Sequence, residues 1–298
     1  MIGLLLVSLG GALQGYDMAL LCILTPDPAY PEDWQSRAAK FSQLFGDQVD
    51  FRCWHDAGDL SGFGLTLPLL AWGYNYAPDL WYDALDAWEA QGVRFANPIP
   101  LLRWNTNKAY LLGLAKKGLA IVPTRQSDRL VDEDVAAARA AFGTDNLVIK
   151  PAISAGADGT FILGPTDAIP FDVLERTMLI QPLMRAIQNE GEFSLFYFGG
   201  ALSHAILKTP ASGDFRVQEQ FGGREVTIDA PAPAQRLAEA VLAAAPMPPL
   251  YARVDMVRDA EGAFRLMELE AIEPALFLDF APDKGAAFAK AVLNQLAA

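Results

Sequence analysis

Along the first hundred residues, apolar runs alternate with stretches whose apolar positions recur every three or four residues, the pattern of alternating strand and helix. The run at 19–24 ends at the turn signal Thr25-Pro26-Asp27-Pro28 and predicts a strand. A helix is expected over about 31–45, with Pro31 in the first turn, where a missing N–H costs nothing. Residues 49–54 alternate as a strand and 65–72 form an apolar strand. A helix over 78–91 stops at Gly92, and a short strand at 93–95 stops at Asn97-Pro98. This first unit reads as α/β with a mainly parallel sheet.

Past Pro98 the pattern changes. A helix is expected over 105–117, stopped by Gly118, then a strand at 120–122 and an Ala-rich helix over 132–142. The strand 147–151 enters a glycine-bearing loop at 153–160, and 161–163 returns. Mixed helices and mostly antiparallel strands lead to a last helix over 283–296, an α+β pattern. The division is placed near residue 102. Residues 18–102 form an N-terminal α/β domain, and 103–298 form two lobes, about 103–180 and 181–298. Residues 1–17 read as a non-essential extension, because Met18 opens directly onto the first apolar strand.

Composition narrows the partners. At 298 residues with 52% hydrophobic content, the chain can bury one large core or two to three modest ones. A net charge of −13 excludes a phosphate-neutralising surface, and so argues against nucleic acid and against an anionic membrane. Any anionic ligand is then held by a few local Lys and Arg residues. Cys22 and Cys53 show no CxxC or zinc spacing and read as free thiols in a reducing compartment. No run reaches the roughly twenty apolar residues that span a bilayer, and the apolar start lacks the basic flank of a signal peptide. A cytoplasmic location is expected.

The strongest chemical signal is the pair Val254-Asp255-Met256 and Met267-Glu268-Leu269-Glu270, two strands joined by a polar turn near Glu261-Gly262. Alternation puts Glu268 and Glu270 on one face, and the hairpin can bring Asp255 beside them. Buried carboxylates are costly unless paired or bound to a cation. Oxygen ligands without histidine or thiolate suit a hard cation such as magnesium held with a nucleotide. The alternative is a half-exposed hairpin with its acids in water.

Individual cations extend the pattern. Lys150 ends an apolar strand just before the loop carrying Gly156 and Gly159, positioned for phosphate oxygens or, more plainly, snorkelling to solvent. Lys108 falls in the first turn of the expected 105–117 helix, where it opposes the helix dipole and phosphate charge would account for it. Gln181-Pro182-Leu183 reads as a proline-marked edge or linker with free backbone groups. Lys208, Arg216 and Arg253 stand in apolar or turn-like segments, and Arg253 shares a strand face with Asp255. An Arg–Asp ion pair and a role in stabilising phosphoryl transfer are both open there. His55 and His204 are solitary and read as structural. The segment 72–76, Trp-Gly-Tyr-Asn-Tyr, lines a substrate pocket or forms an aromatic packing corner. GxSxG, HExxH and GxGxxG are absent, so serine-hydrolase, zincin and dinucleotide-binding readings lack support.

In this order the pieces resemble the ATP-grasp superfamily of ligases. The resemblance rests on Asn107-Lys108, Val148-Ile149-Lys150-Pro151, Gln181-Pro182-Leu183, Gly191-Glu192-Phe193-Ser194, Arg253-Val254-Asp255 and Glu268-Leu269-Glu270. It covers about 103–298, and 18–102 is similar to the small α/β domain that precedes the grasp. The stretches RWNTNKAYL, GEFSLFYFGG and LMELEAIEPALF look like the subgroup of O-ureido-D-serine cyclo-ligase, beside glutathione synthetase and ribosomal-protein glutamate ligases.

The resemblance implies an ATP-grasp fold, α/β and α+β, with Lys108 and Lys150 on ATP phosphates under the loop of Ser154, Gly156 and Gly159. It implies adenine read by Gln181 and Leu183, ribose held by Glu192, and Mg2+ (two ions, replaceable by Mn2+) held by Asp255, Glu268 and Glu270. Many members carry Asn where Glu270 stands. Arg253, Lys208 and Arg216 are the implied catalytic cations. The implied reaction is ATP-dependent ligation of a carboxylate to an amine, or a cyclisation, through an acyl-phosphate. The expected partners are small-molecule carboxylate and amine substrates, with assembly open between monomer and homodimer. Two other readings stand beside it: a ligase adding amino acids to a peptide or protein tail, and a nucleotide-binding protein without catalysis.

Overall fold

The computed structural model describes residues 20–211 and 222–298. Its first sheet has the parallel order β2-β1-β3, from β1 (Leu21–Thr25), β2 (Val49–Cys53) and β3 (Leu65–Leu67). β1 is buried on both faces, as the centre of a parallel sheet demands. One face sends Leu21 and Ile23 against Phe41 and Phe45 of α1 (Trp34–Phe45). The other sends Cys22 and Leu24 against Trp81, Leu85 and Trp88 of α2 (Pro78–Ala90).

Several boundaries differ from the sequence pattern for local reasons. α1 starts after Asp33, whose carboxylate accepts the Ser36 N–H at 3.0 Å, so the cap and not Pro31 sets the start. The apolar stretch 65–72 is a three-residue strand followed by turns. Residues 93–95 and 120–122 contribute only isolated bridges, Thr66↔Phe95 and Ile121↔Leu266. The expected 105–117 helix is two helices, α3 (Ile99–Thr106) and α4 (Tyr110–Lys116). Lys108 lies in the break between them. Its N–H goes to Ala152 O at 2.7 Å, so it is not in a helical first turn.

Residue 102 falls inside α3, whose Ile99 and Leu102 pack into the core around Trp81. A second link is buried Asn97. Its amide donates to Tyr251 O at 2.9 Å and Ala271 O at 2.7 Å, and its oxygen accepts the Leu250 N–H at 2.7 Å.

The middle sheet is antiparallel, in the order β4-β7-β5-β6, from β4 (Arg125–Ser127), β5 (Leu147–Pro151), β6 (Phe161–Leu163) and β7 (Met178–Pro182). α5 (Asp132–Phe142) covers it with Val135 and Ala138. β7 lies inside this sheet, so Pro182 marks its end and not a sheet edge.

The last sheet, also antiparallel, has the order β10-β9-β8-β11-β12. Its strands are β8 (Glu192–Phe198), β9 (Ala201–Thr209), β10 (Arg224–Ile228), β11 (Tyr251–Arg258) and β12 (Phe264–Glu270). Phe193, Leu195, Val254 and Leu269 face a core closed by Ala234, Ala238 and Val241 of the helix Ala232–Ala244. The closing helix, Ala286–Ala297, places Phe288 beside Phe41, Phe45 and Tyr251, tying the first sheet to the last.

Candidate active site

The chemistry-bearing side chains come from one face of the five-stranded sheet. Its register pairs Lys208 with Glu192, Ser194 with Asp255, Asp255 with Glu268, and Arg253 with Glu270. Directly paired residues share a face, so these seven polar groups form a continuous patch across β9, β8, β11 and β12. The expected hairpin is present, and its turn is held by Asp259, which accepts from Glu261 N–H at 3.1 Å and Ala263 N–H at 2.8 Å.

β12 is an edge strand, and its outer backbone is covered by side chains. Asn105 donates to Leu269 O at 2.7 Å and accepts from Ala271 N–H at 2.8 Å. The Tyr110 hydroxyl accepts from Leu269 N–H at 2.8 Å and donates to Leu269 O at 3.0 Å. These bonds bracket Leu269 and thereby fix Glu268 and Glu270 on either side of it.

Within the patch each acid meets a cation. Lys208 Nζ is 2.6 Å from Glu192 Oε1 and 3.5 Å from Asp255 Oδ1. Arg253 Nε donates to both oxygens of Asp255, at 3.0 and 2.9 Å, and its other arm reaches Glu270. Ser194 adds a hydroxyl donor to Asp255. Lys108 Nζ is 2.9 Å from Glu268 Oε1 and also donates to the Ser154 carbonyl.

The electrostatics follow. Burial alone raises the Asp255 carboxyl, but Arg253, Lys208 and Ser194 overcome it and hold the group below its usual range. Burial pushes Glu270 up to about 8 despite Arg253, with Glu268 and Asp255 adding repulsion. Burial also raises Glu192, against the pull of Lys208. For Lys108, burial is outweighed by Glu268 and its acidic neighbours, and its pKa rises. Lys150 is lowered by burial, and the repulsion of Lys108 pushes the same way. The two lysines are close enough to feel each other's charge, and both border the cavity beside the glycine loop.

A cavity of about 1410 Å³ brings the three parts of the molecule together. Lys108, Lys150 and the loop of Ser154, Gly156 and Gly159 line it from the middle, with Gln181 and Leu183 at the end of β7. Glu192, Lys208, Arg253, Asp255, Glu268 and Glu270 line it from the five-stranded sheet. Tyr30, Arg37 and the segment 72–76 line it from the N-terminal part, and because Tyr74 also packs on Trp81 with ring centres 5.1 Å apart, that segment is both cavity wall and aromatic packing corner. Gly156 and Gly159 have φ of 61° and 66°, and a Cβ on Gly159 would sit 2.8 Å from the Pro151 ring. The loop's turns therefore need glycine there.

Two sequence expectations need adjustment. The Leu183 N–H already donates to Asn146 O at 3.0 Å, so an adenine contact through it competes with that bond. Arg216 lies outside the described residues, as do residues 1–17. His204 is buried and stacks on Phe196 at 4.2 Å, and burial lowers it to about 4, so it is the structural histidine the sequence suggests.

The donor set suits a hard cation: three carboxylates without histidine or thiolate, on one face and bordering the cavity. Among the described residues no three acids converge as a ready metal cluster, and Arg253 and Lys108 are paired with the acids' oxygens. A metal would have to exchange with those cations.

Glu273 was not legible in advance. Period-2 alternation from Glu268 and Glu270 points to residue 272, but Ile272 turns into the N-terminal core as the strand ends, and Glu273 takes the cavity side. Burial raises it to about 7, opposed by Lys108 and by a hydrogen bond from Tyr74. The nearest signal in the sequence was a third acid close behind the pair, just before Pro274.

No family model matches the chain. A cycloserine biosynthesis protein, DcsG of Streptomyces lavendulae, is 30% identical over 234 residues, 68% of this chain and 74% of that protein. The crystal structure of D-cycloserine synthetase DcsG superposes with a TM-score of 0.80 at 25% identity, covering 93% of this chain and 99% of that one. The ATP-grasp ligase PsnB, solved with a minimal precursor, gives a TM-score of 0.61 at 14% identity, over 93% of this chain and 99% of the other.

Proposed function

The chain belongs to the ATP-grasp ligases, and from that premise we propose that it joins the carboxylate of a small amino-acid-like substrate to a nitrogen, within one molecule or between two. The observation that carries this reading is the polar patch of the five-stranded sheet, which borders one cavity together with Lys150 and with Lys108, whose ammonium touches the patch at Glu268.

In this reading the lysines take the nucleotide phosphates, Glu192 takes ribose, and the end of β7 takes adenine. Lys108 leaves Glu268 for phosphate, which frees Glu268 for a cation. Asp255, Glu268 and Glu270 would hold Mg2+, whose bound form neutralises phosphate charge. A substrate carboxylate oxygen bonds to the γ-phosphorus as the bond to the ADP oxygen breaks. The nitrogen then attacks the acyl carbon, phosphate departs, and the nitrogen loses its proton. In this reading Arg253, held between Asp255 and Glu270, stabilises the oxygens on which charge builds. The loop 153–160 covers the site and excludes water. Lys208 fixes Glu192 and Asp255 relative to each other, and Arg216 is assigned to substrate or γ-phosphate.

The kinship with DcsG favours a ring closure within one amino-acid derivative. The experiment is a screen of free and derivatised amino acids for ADP release that depends on both Mg2+ and the added carboxylate. Accompanying mass changes separate ring closure, by loss of water or a small leaving group, from joining of two molecules. ATP turnover indifferent to every carboxylate offered contradicts the reading.

A further inference from the structure

Four of the cavity's carboxylates, Glu192, Asp255, Glu268 and Glu270, are each within ion-pair distance of a Lys or Arg. Glu273 is different. It lines the same cavity and is half-buried, but among the described residues it forms no ion pair. Its charge acts on the hydroxyl of Tyr74, which lines the same cavity and is 4% exposed. Lys108 acts on it, but that ammonium is ion-paired with Glu268, so Glu273 keeps room for a cation of its own.

The walls around it point to which cation. Tyr30, Trp72 and Tyr74 line the same cavity as Glu273, and its charge acts on both tyrosines. Tyr30 packs against Trp72 with ring centres 6.0 Å apart. That packing needs Gly73, where a Cβ would approach the Tyr30 ring to 3.2 Å and where φ is 90°. The left-handed glycine turns the next residue, Tyr74, inward. One carboxylate, a hydroxyl and aromatic faces make a receptor for a compact organic ammonium. They are poorly suited to a hard metal ion, which needs several oxygens. Glu273 also acts on Lys108 and Glu270, so the ammonium would lie beside the reacting carboxylate.

We infer that Glu273, with Tyr74 and the Tyr30–Trp72 wall, binds the primary ammonium of the substrate, and that the substrate is an α-amino acid or close analogue carrying that group free. The inference rests on the ligase reading and adds the substrate class. It has a chemical consequence. An ammonium held against a carboxylate keeps its proton and has no lone pair to attack with, so this group is a handle and the attacking nitrogen lies elsewhere.

The test is calorimetric titration of the whole chain, saturated with Mg2+ and a non-hydrolysable ATP analogue. The probes are D- and L-alanine and D- and L-serine, each against its N-acetyl form, together with lactate. At least one free-amine probe should bind, and its N-acetyl form and lactate should bind roughly tenfold to a hundredfold more weakly, the cost of losing a charged hydrogen bond. Glu273→Gln should remove that preference and Tyr74→Phe should reduce it, with affinity for the Mg2+–nucleotide analogue kept in both. If no free-amine probe binds, if acetylation makes no difference, or if Glu273→Gln keeps the preference, the subsite is wrong. Loss of Mg2+–nucleotide binding in Glu273→Gln overturns it too, by making Glu273 a metal ligand. Should that variant fail to fold, Tyr74→Phe decides in its place, an unreduced preference for the free amine overturning the subsite. Failure of the parent to bind nucleotide at all speaks against the ligase reading instead, so the two failures are distinct.

Discussion

Arg253 carries two loads at once. It is 8% exposed, holds both oxygens of Asp255 and reaches Glu270, so removing it leaves a buried carboxylate without its main partner. Arg253→Ala should cost about 3–5 kcal/mol of stability, read as a lower denaturation midpoint, besides abolishing turnover. Arg253→Lys keeps the charge and loses the fork, so turnover should fall by about a hundredfold or more with a smaller change in nucleotide affinity. Equal losses in both would make Arg253 a ground-state binder. The acids should separate likewise. Glu268→Gln and Glu270→Gln should weaken use of Mg2+–nucleotide with little effect on stability, whereas Asp255→Asn should do both. Asp255 is 3% exposed and anchors Arg253, Lys208 and Ser194. His204 gives a pH signature. Its pKa is lowered from 6.5 to about 4 on folding, so below pH 6.5 the unfolded chain takes up the proton first. Its contribution is complete above pH 6.5 and is lost as pH falls toward 4, by up to roughly 3 kcal/mol. His204→Phe keeps the stack on Phe196 and should flatten the fall in denaturation midpoint between pH 6.5 and 5. An unchanged slope would assign that fall to other groups.

At the scale of elements, the hairpin of β11 and β12 decides the site, and it was readable in outline. Alternation put Glu268 and Glu270 on one face, but the register set at the turn would leave Asp255 opposite Met267, and a bulge between Asp255 and Met256, which no local pattern announces, shifts it opposite Glu268. The elements that support it were not readable. Asn105 and Tyr110 satisfy the outer edge of β12 across more than 150 residues of sequence, a long-range match that no local pattern encodes. The helix break at Lys108 was hidden for a similar reason: its N–H is taken by Ala152, so a tertiary bond ends a stretch that reads as continuous helix. Asn105→Ala should therefore cost about 1–3 kcal/mol, the desolvation of unpaired edge groups, and should also weaken Mg2+–nucleotide binding by loosening Glu268 and Glu270. Denaturation and nucleotide titration of one variant check both. A drop in stability with unaltered nucleotide affinity would show that the edge bonds do not position the acids.

Across the whole molecule, the alternating first unit and the mixed remainder were both legible, because parallel and antiparallel layers differ in hydrophobic pattern. The way the parts lock together was not. α3 runs through residue 102, Asn97 bonds to Tyr251 in β11 and to Ala271 just past β12, and the final helix brings Phe288 back to the first sheet. These contacts join the aromatic wall of the N-terminal part to the polar patch of the C-terminal part across one cavity. That junction is where a carboxylate, a nucleotide and a nitrogen nucleophile would meet. The most direct test of the central claim labels the substrate carboxylate with 18O and follows the phosphate released. For the carboxylate that triggers ADP release, the account predicts one 18O in each phosphate formed, because the acyl-phosphate passes a carboxylate oxygen to phosphorus. Phosphate without label, formed while ATP is consumed, would contradict it.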